Sequence, residues 1–232
     1  MVIFTPLRRV RLRLGFSKFV PTFSLSAILE NFRMWNKRYA KPGYLFGTEP
    51  AEFLGSHLRY LANGASALAV ADGEGRNSVF MAKQGVRVVA MDSSDVAVEK
   101  ARNLARTEKV DVEFNVTDIA AWDWGAQQFD LVVGVFIQFV GPEGRAAQFE
   151  GMKQATNPGG HILLHGYTPK QLEFGTGGPR AVENLYTEGM LREAFSDFEI
   201  VELRTYEREI DEGAGHAGMS GLIDLVARKP QS

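Results

Sequence analysis

Two periods of apolar spacing alternate along this chain, and the alternation sets its fold class. Residues 66–71, 86–91, 110–116 and 129–136 are short, near-continuous apolar runs. A fifth follows the tight turn Asn157-Pro158-Gly159-Gly160 and ends at Leu164. Such runs suit strands covered on both faces. Between them, residues 76–83, 94–106 and 143–155 carry helical spacing. Ser94 caps the second of these, whose buried stripe is Val98, Ala101, Leu104 and Ala105. Strand and helix in alternation predict a parallel sheet with helices on both faces. Upstream, Ser24 or Ser26 opens a helix reaching about Arg38. Thr48 then caps a helix with Glu49 and Pro50 in its first turn, which ends near Leu61 before Asn63-Gly64. Downstream, Thr187 caps a helix to about residue 196. The runs 198–208 and 220–228 follow, joined by the glycine-rich segment 211–218. Neighbouring strands with so short a link pair antiparallel. The expected fold is α/β, with a mostly parallel seven-stranded sheet and a closing antiparallel hairpin.

Open parallel sheets bind ligands at the carboxyl ends of their strands. Three such ends carry chemistry here. The first strand runs into Asp72-Gly73-Glu74-Gly75-Arg76-Asn77, the second ends at Asp92-Ser93, and the third at Thr117-Asp118-Ile119. Gly73 and Gly75 let backbone approach a ligand closely, at the start of a helix whose first amides point outward. Asp92 lies 19 residues beyond Gly73. An acid at that distance accepts the hydroxyls of a ribose. Asp118 is placed to take an adenine amino hydrogen. The expected ligand is a nucleoside with a charged tail.

These residues resemble the class I S-adenosylmethionine-dependent methyltransferases. The resemblance rests on Ala71 to Ser78, Met91-Asp92, Asp118, the turn 157–160 and the closing hairpin, and it implies a Rossmann-like fold. Within that family the chain resembles the small-molecule branch of the tellurite-resistance TehB and thiopurine methyltransferase types. Residues 35–39, 44–47 and Pro50 are similar to that branch's N-terminal cap, and Arg76-Asn77 fits it too. The resemblance assigns Gly73, Gly75, Asn77, Asp92, Ser93, Asp118 and Ile119 to the cofactor, S-adenosylmethionine, and puts Val135 and Phe136 near its methyl group. The chain departs from the family at Ala69, where an acid is usual, and at Ala71, where the first glycine is usual. Asp72 is expected to supply the acid from a shifted position.

The acceptor side is read from position along the rim. His165 and Tyr167 follow the fifth strand, Gln138 follows the fourth, and His216 lies in the hairpin link. Tyr39, Tyr44 and Phe46 are candidates to roof the pocket. His165 is the candidate base. The glycine-rich loop 171–179 crosses the same rim and is a candidate lid.

Composition removes several alternatives. With no cysteine there is no disulfide, thiolate metal site or cysteine nucleophile. The four histidines are scattered without metal-ligand spacing, so no metal is expected. No run approaches the ~20 apolar residues of a membrane span. Within residues 1–33, Arg8, Arg9, Arg11, Arg13, Lys18 and Arg33 stand against Glu30 alone, giving +5 in a chain of net charge −2 and leaving the remainder at −7. The reading is a basic arm, 1–33, and a methyltransferase domain, 34–232. The arm is an over-called start or a targeting segment. The expected location is cytoplasmic, or an organelle if residues 1–30 are a transit peptide. The acidic body argues against a nucleic-acid partner, which leaves a small-molecule acceptor; nothing in the sequence speaks to oligomeric state. Two rival functions share the pattern: a nicotinamide-dependent oxidoreductase, and a cofactor-binding module without activity.

Overall fold

The computed structural model describes residues 25–213 and 215–231, with side chains from Phe32 onward. Most of the basic arm therefore lies outside the described residues. Helix α1 (Leu25–Tyr39) runs through the expected boundary at residue 34 without a break. Then come α2 (Glu52–Ser56), β1 (Ser66–Val70), α3 (Arg76–Lys83), β2 (Arg87–Asp92), α4 (Asp95–Glu108), β3 (Val112–Val116) and β4 (Phe129–Val135). The chain continues through α5 (Pro142–Ala155), β5 (Thr156–Tyr167), α6 (Gln171–Phe174), α7 (Glu188–Ala194), β6 (Glu199–Asp211) and β7 (Ala217–Arg228).

The strands form one sheet in the order β3-β2-β1-β4-β5-β7-β6. The first five are parallel, and β7 runs antiparallel between β5 and β6. Strand order reverses between β1 and β4, which opens a crevice above their carboxyl ends. The period of two along each strand splits the core in two. Leu68, Val70 and Val132 pack on one face with Phe149 and Met152 of α5 and Leu191 of α7. Ala67, Ala69, Leu131 and Val133 pack on the other with Phe53 and Leu54 of α2 and Met81 of α3. Unbroken apolar strands are thus accounted for by two covered faces.

Caps at Ser94 and Thr187 form as expected: Ser94 Oγ accepts from the Ala97 amide and Thr187 Oγ1 from the Met190 amide. Thr48 does not cap a helix. The helix starts later, at Glu52, and its N-terminal amides are taken from elsewhere in the fold: Ala51 N–H donates to Asn77 Oδ1 at 3.0 Å and Glu52 N–H to Glu212 Oε1 at 3.1 Å. The turn 157–160 is absorbed into β5 as a bulge, because Phe129 pairs with Thr156 whereas Leu131 pairs with His161. β3 starts two residues late, since Lys109 turns left-handed (φ 58°) and the Val110 amide closes the end of α4 on the Ala105 carbonyl. The hairpin strands run longer than their apolar pattern, so the link shrinks to residues 212–216.

Two positions in the first turn explain its residues. A Cβ on Gly75 (φ 89°) would lie 2.6 Å from the Ala101 Cβ, so only glycine lets α3 start against α4. Ala71 takes φ 49°, the left-handed region that glycine prefers. The turn is therefore formed without the usual glycine, at some strain. Ala71→Gly should stabilise the fold by about 0.5–1 kcal/mol, the relieved strain outweighing the added unfolded-state entropy. Urea denaturation checks it, and a loss of stability would contradict this account of the turn.

Candidate cofactor and acceptor site

A cleft with about 830 Å³ of empty space, partly open to solvent, lies over the β1–β4 crevice. Its floor is the β1, β2, β3 and β4 ends, including Asp72, Gly73, Asp92, Ser93, Asp118, Ile119 and Val135; Asn77 and Arg76 enter from α3. The roof is Trp35 and Tyr39 of α1 with Phe46, and the far wall is Phe136, Phe139 and His216. This lining, with carboxylates on the floor and aromatic rings above them, suits a nucleoside.

Asp92 organises the floor. Its Oδ2 accepts from the Gly73 amide at 2.8 Å and its Oδ1 from the Ser94 amide at 2.8 Å. One carboxylate thus ties the glycine turn to the β2 end. Each oxygen keeps a further lone pair for a ligand hydroxyl. Burial pushes Asp92 up to about 6 against these two hydrogen bonds, with Asp118 adding to the rise. Asp72 is pushed up to about 7, again by burial and against hydrogen bonds from the Ser78 side chain and amide. Its oxygens therefore anchor α3 as well as lining the cleft. Asp118 Oδ1 accepts from the Ala120 amide at 2.8 Å and turns the chain after β3.

A staple holds the roof on. Buried Glu74 accepts from the Leu45 amide at 2.6 Å and from Lys100 Nζ at 2.8 Å; Lys100 also reaches the Lys41 and Gly43 carbonyls. Asn36 on α1 donates to Asp95 Oδ1 at 2.7 Å and accepts from Ser94 Oγ at 2.5 Å. Trp35 stacks on Tyr39, and Tyr39 meets Phe46 edge-on. A Cβ on Gly73 would stand 2.8 Å from the Tyr39 hydroxyl oxygen, so the roof closes down on bare backbone. Burial, with Asp92 and Glu74 nearby, pushes the Tyr39 phenol well above its ordinary range and keeps it a neutral donor.

Twelve of the residues singled out from the sequence line this cleft: Asp72, Gly73, Asn77, Asp92, Ser93, Asp118, Ile119, Val135, Phe136, Tyr39, Phe46 and His216. Five do not. Gly75 sits behind the turn against Ala101. Tyr44 packs with Val79 and Leu104, its hydroxyl on the Lys100 carbonyl. The Gln138 amide clamps backbone, donating to the Tyr167 and Asn184 carbonyls and accepting from the Tyr167 amide. Tyr167 is buried beneath Phe136. His165 is turned away into the sheet: its Nδ1 lies 2.6 Å from Asp224 Oδ1, and its ring stacks on Phe53. The end of an apolar strand gave the rim position, but the alternation of faces along β5 decided which side chain reaches it.

Asp224 is fully buried and also accepts from Arg204 Nε at 2.9 Å and the Tyr206 hydroxyl at 3.2 Å. Burial alone would push its carboxyl up, but His165 and Arg204 hold it below the ordinary range. Asp224→Ala should cost about 3 kcal/mol of stability, the usual result of breaking a buried ion network, and leave nucleoside affinity within about twofold. Thermal unfolding and titration of the same variant check both halves.

Trp35, Arg76, Met91, Thr117 and Phe139 also line the cleft. Phe139 carried a signal, a second aromatic three residues past Phe136 and just beyond a buried strand. Arg76 carried none, because an arginine at a helix start is usually solvated; here it is buried against Glu212 from the hairpin link.

The sheet order, antiparallel closing strand and rim geometry define a class I methyltransferase fold. Comparison with known proteins agrees. Residues 67–160 match the family model described as a methyltransferase domain. A tRNA (uracil(54)-C(5))-methyltransferase from Pyrococcus horikoshii is 39% identical over 56 residues, 24% of this chain; the chain spans only 14% of that protein's length. Among solved structures, TehB from Haemophilus influenzae superposes with a TM-score of 0.63 at 20% identity, over 85% of this chain and 66% of that one. The N-methyltransferase NodS from Bradyrhizobium japonicum, in complex with S-adenosyl-L-homocysteine, gives 0.64 at 15% identity, over 86% and 98%. The chain thus has the fold of the class I methyltransferases, and its residues 67–160 match a methyltransferase domain.

Proposed function

We propose that this protein transfers the methyl group of S-adenosylmethionine to a small-molecule acceptor by in-line displacement. One observation carries the reading: three carboxylates, Asp72, Asp92 and Asp118, line the cleft at the β1, β2 and β3 ends, and Arg76, the one lysine or arginine among its described lining residues, has its Nη2 on Glu212 at 2.7 Å, which leaves only Nη1 open. Such a floor attracts a ligand bearing positive charge and hydroxyls, and repels a diphosphate. It fits an adenosyl sulfonium and fits a nicotinamide dinucleotide poorly. It also argues against a nucleic-acid acceptor, whose phosphates would meet the same field.

In this reading Asp92 takes the ribose hydroxyls, and Asp118 with Ile119 faces the adenine. The turn at Asp72 and Gly73 faces the amino-acid tail, and Val135 with Phe136 borders the methyl. When bound, the cofactor supplies the electrophilic carbon and its own leaving group. The protein's part is to exclude water and hold the acceptor in line. The aromatic roof and the stapled α1 are suited to the first task, and the Phe136–Phe139 wall to the second. The proposed domain, 34–232, takes in Trp35 and Tyr39 of the roof, and 1–33 is the proposed basic arm, joined to it through α1. Among the described residues no helix is long and apolar enough to cross a membrane.

Calorimetric titration with S-adenosylhomocysteine and with NADH tests the proposal. One-to-one binding of the first and none of the second is expected. NADH binding without a response to S-adenosylhomocysteine would establish the oxidoreductase instead. The formed turn at Ala71 favours an active enzyme over an inert module, which an acceptor screen distinguishes.

A further inference from the structure

Two buried polar side chains lining the cleft lack full partnering among the described residues. Arg76 is 6% exposed; its Nη2 holds Glu212, but its Nη1 makes no hydrogen bond to a described residue. His216 is 9% exposed, and its Nδ1 makes none to a described residue either. Both residues line the cleft. Unpaired buried donors and acceptors cost free energy, so a fold that keeps two of them lining one cleft calls for a ligand group. His216 comes from the hairpin link, and Arg76 opens α3 but is held by Glu212 of that same link. The imidazole is held between Phe46, 4.3 Å from its centroid, and Phe136, 4.1 Å from its centroid, with Tyr167 edge-on at 5.8 Å.

Resting on the methyltransferase reading, we propose that Arg76 and His216 form the acceptor subsite, which takes a compact aromatic or apolar molecule through one weakly acidic X–H group and holds that group as its anion. Arg76 Nη1 supplies the charge-assisted hydrogen bond. His216 accepts the X–H proton and passes it to solvent, leaving the electron pair on X. Burial, then Arg76, His165 and Arg38, hold the imidazole well below its ordinary range. It is therefore neutral, a weak acceptor that sheds a captured proton readily. Glu212, paired to Arg76, is the acid that offsets these cations, and the Tyr167 phenol, pushed up mainly by burial, stays neutral. The walls of Trp35, Phe46, Phe136 and Phe139 set the apolar body of the acceptor.

The test uses 4-nitrophenol, whose anion is yellow and whose acid is colourless, added to protein saturated with S-adenosylhomocysteine. The buffer is acidic enough that the free probe is colourless. Saturable binding with a yellow bound form is expected, the bound probe's pKa lowered by about one unit, roughly tenfold in its ionisation constant. Arg76→Gln with Glu212→Gln removes the pair without stranding a buried charge. This double variant should weaken probe binding about tenfold and leave it colourless, with S-adenosylhomocysteine affinity within about twofold of wild type. His216→Gln removes only the relay, so it should keep the bound colour at equilibrium but slow its appearance after mixing, again with cofactor-product affinity intact. The proposal is overturned if wild-type protein does not bind the probe, binds it colourless, or is matched by the double variant in colour or by His216→Gln in rate. It is also overturned if the double variant loses S-adenosylhomocysteine, since Nη1 would then hold the cofactor's own carboxylate. Failure of wild-type protein to bind S-adenosylhomocysteine at all would sink the methyltransferase reading and this one with it.

Discussion

Asp92→Ala is expected to weaken S-adenosylhomocysteine binding by about 3 kcal/mol, roughly a hundredfold in Kd, because a ribose would lose a charged acceptor for its hydroxyls. The structure adds a second loss. Both Asp92 oxygens also accept backbone amides, from Gly73 and Ser94. Without the carboxylate those donors turn to water in the cleft, and stability should fall by about 1–2 kcal/mol. Asp92→Asn does not rescue this. Its amide nitrogen would face one of the two backbone donors, so it should resemble Ala in affinity. Calorimetry on folded variants separates the two losses. Unchanged affinity in a folded Asp92→Ala protein would show that the nucleoside lies elsewhere.

Binding should also weaken steeply in acid. Free of ligand, Asp72 sits at about 7 and Asp92 at about 6, each raised chiefly by burial. A cationic tail and ribose hydroxyls favour the ionised carboxylates, so binding lowers both values and releases protons. Affinity should be flat above about pH 8 and fall by about a hundredfold between there and pH 5.5. The sign for the free fold is opposite. Carboxylates raised above their unfolded values contribute stability that is fully present below about pH 4 and lost as pH rises through about 7. The free protein should thus lose stability over the range in which the complex gains it. Titrations near pH 6 in buffers of differing ionisation enthalpy read the released protons directly. Affinity independent of pH over this range would mean that the two acids do not face the ligand's charge.

Much of the fold could be read from the chain because the strands are buried on both faces. Their apolar runs are unbroken, and the helices between them carry clear stripes and caps at Ser94 and Thr187. What escaped was set by distant partners. Thr48 has good capping chemistry, but the α2 amides are satisfied by Asn77 and Glu212, far along the chain. The cofactor side of the cleft was legible for the same reason as the strands. Gly73, Asp92 and Asp118 each follow a strand end, and in a parallel sheet all strand ends reach one rim. The acceptor side was less legible, since it depends on which face a residue takes near the rim. His165 and Gln138 turn inward to structural partners, whereas His216 and Arg76 turn toward the cleft. The burial of Arg76 depends on Glu212, which arrives from the opposite end of the chain.

The account stands or falls on whether one adenosyl ligand lies across the β1, β2 and β3 ends. A crystal structure of the protein with S-adenosylhomocysteine measures this directly. The ribose hydroxyls are expected on Asp92, the adenine between Asp118 and Ile119, and the sulfur toward Phe136. A nucleoside bound away from Asp92 and Asp118 would contradict it.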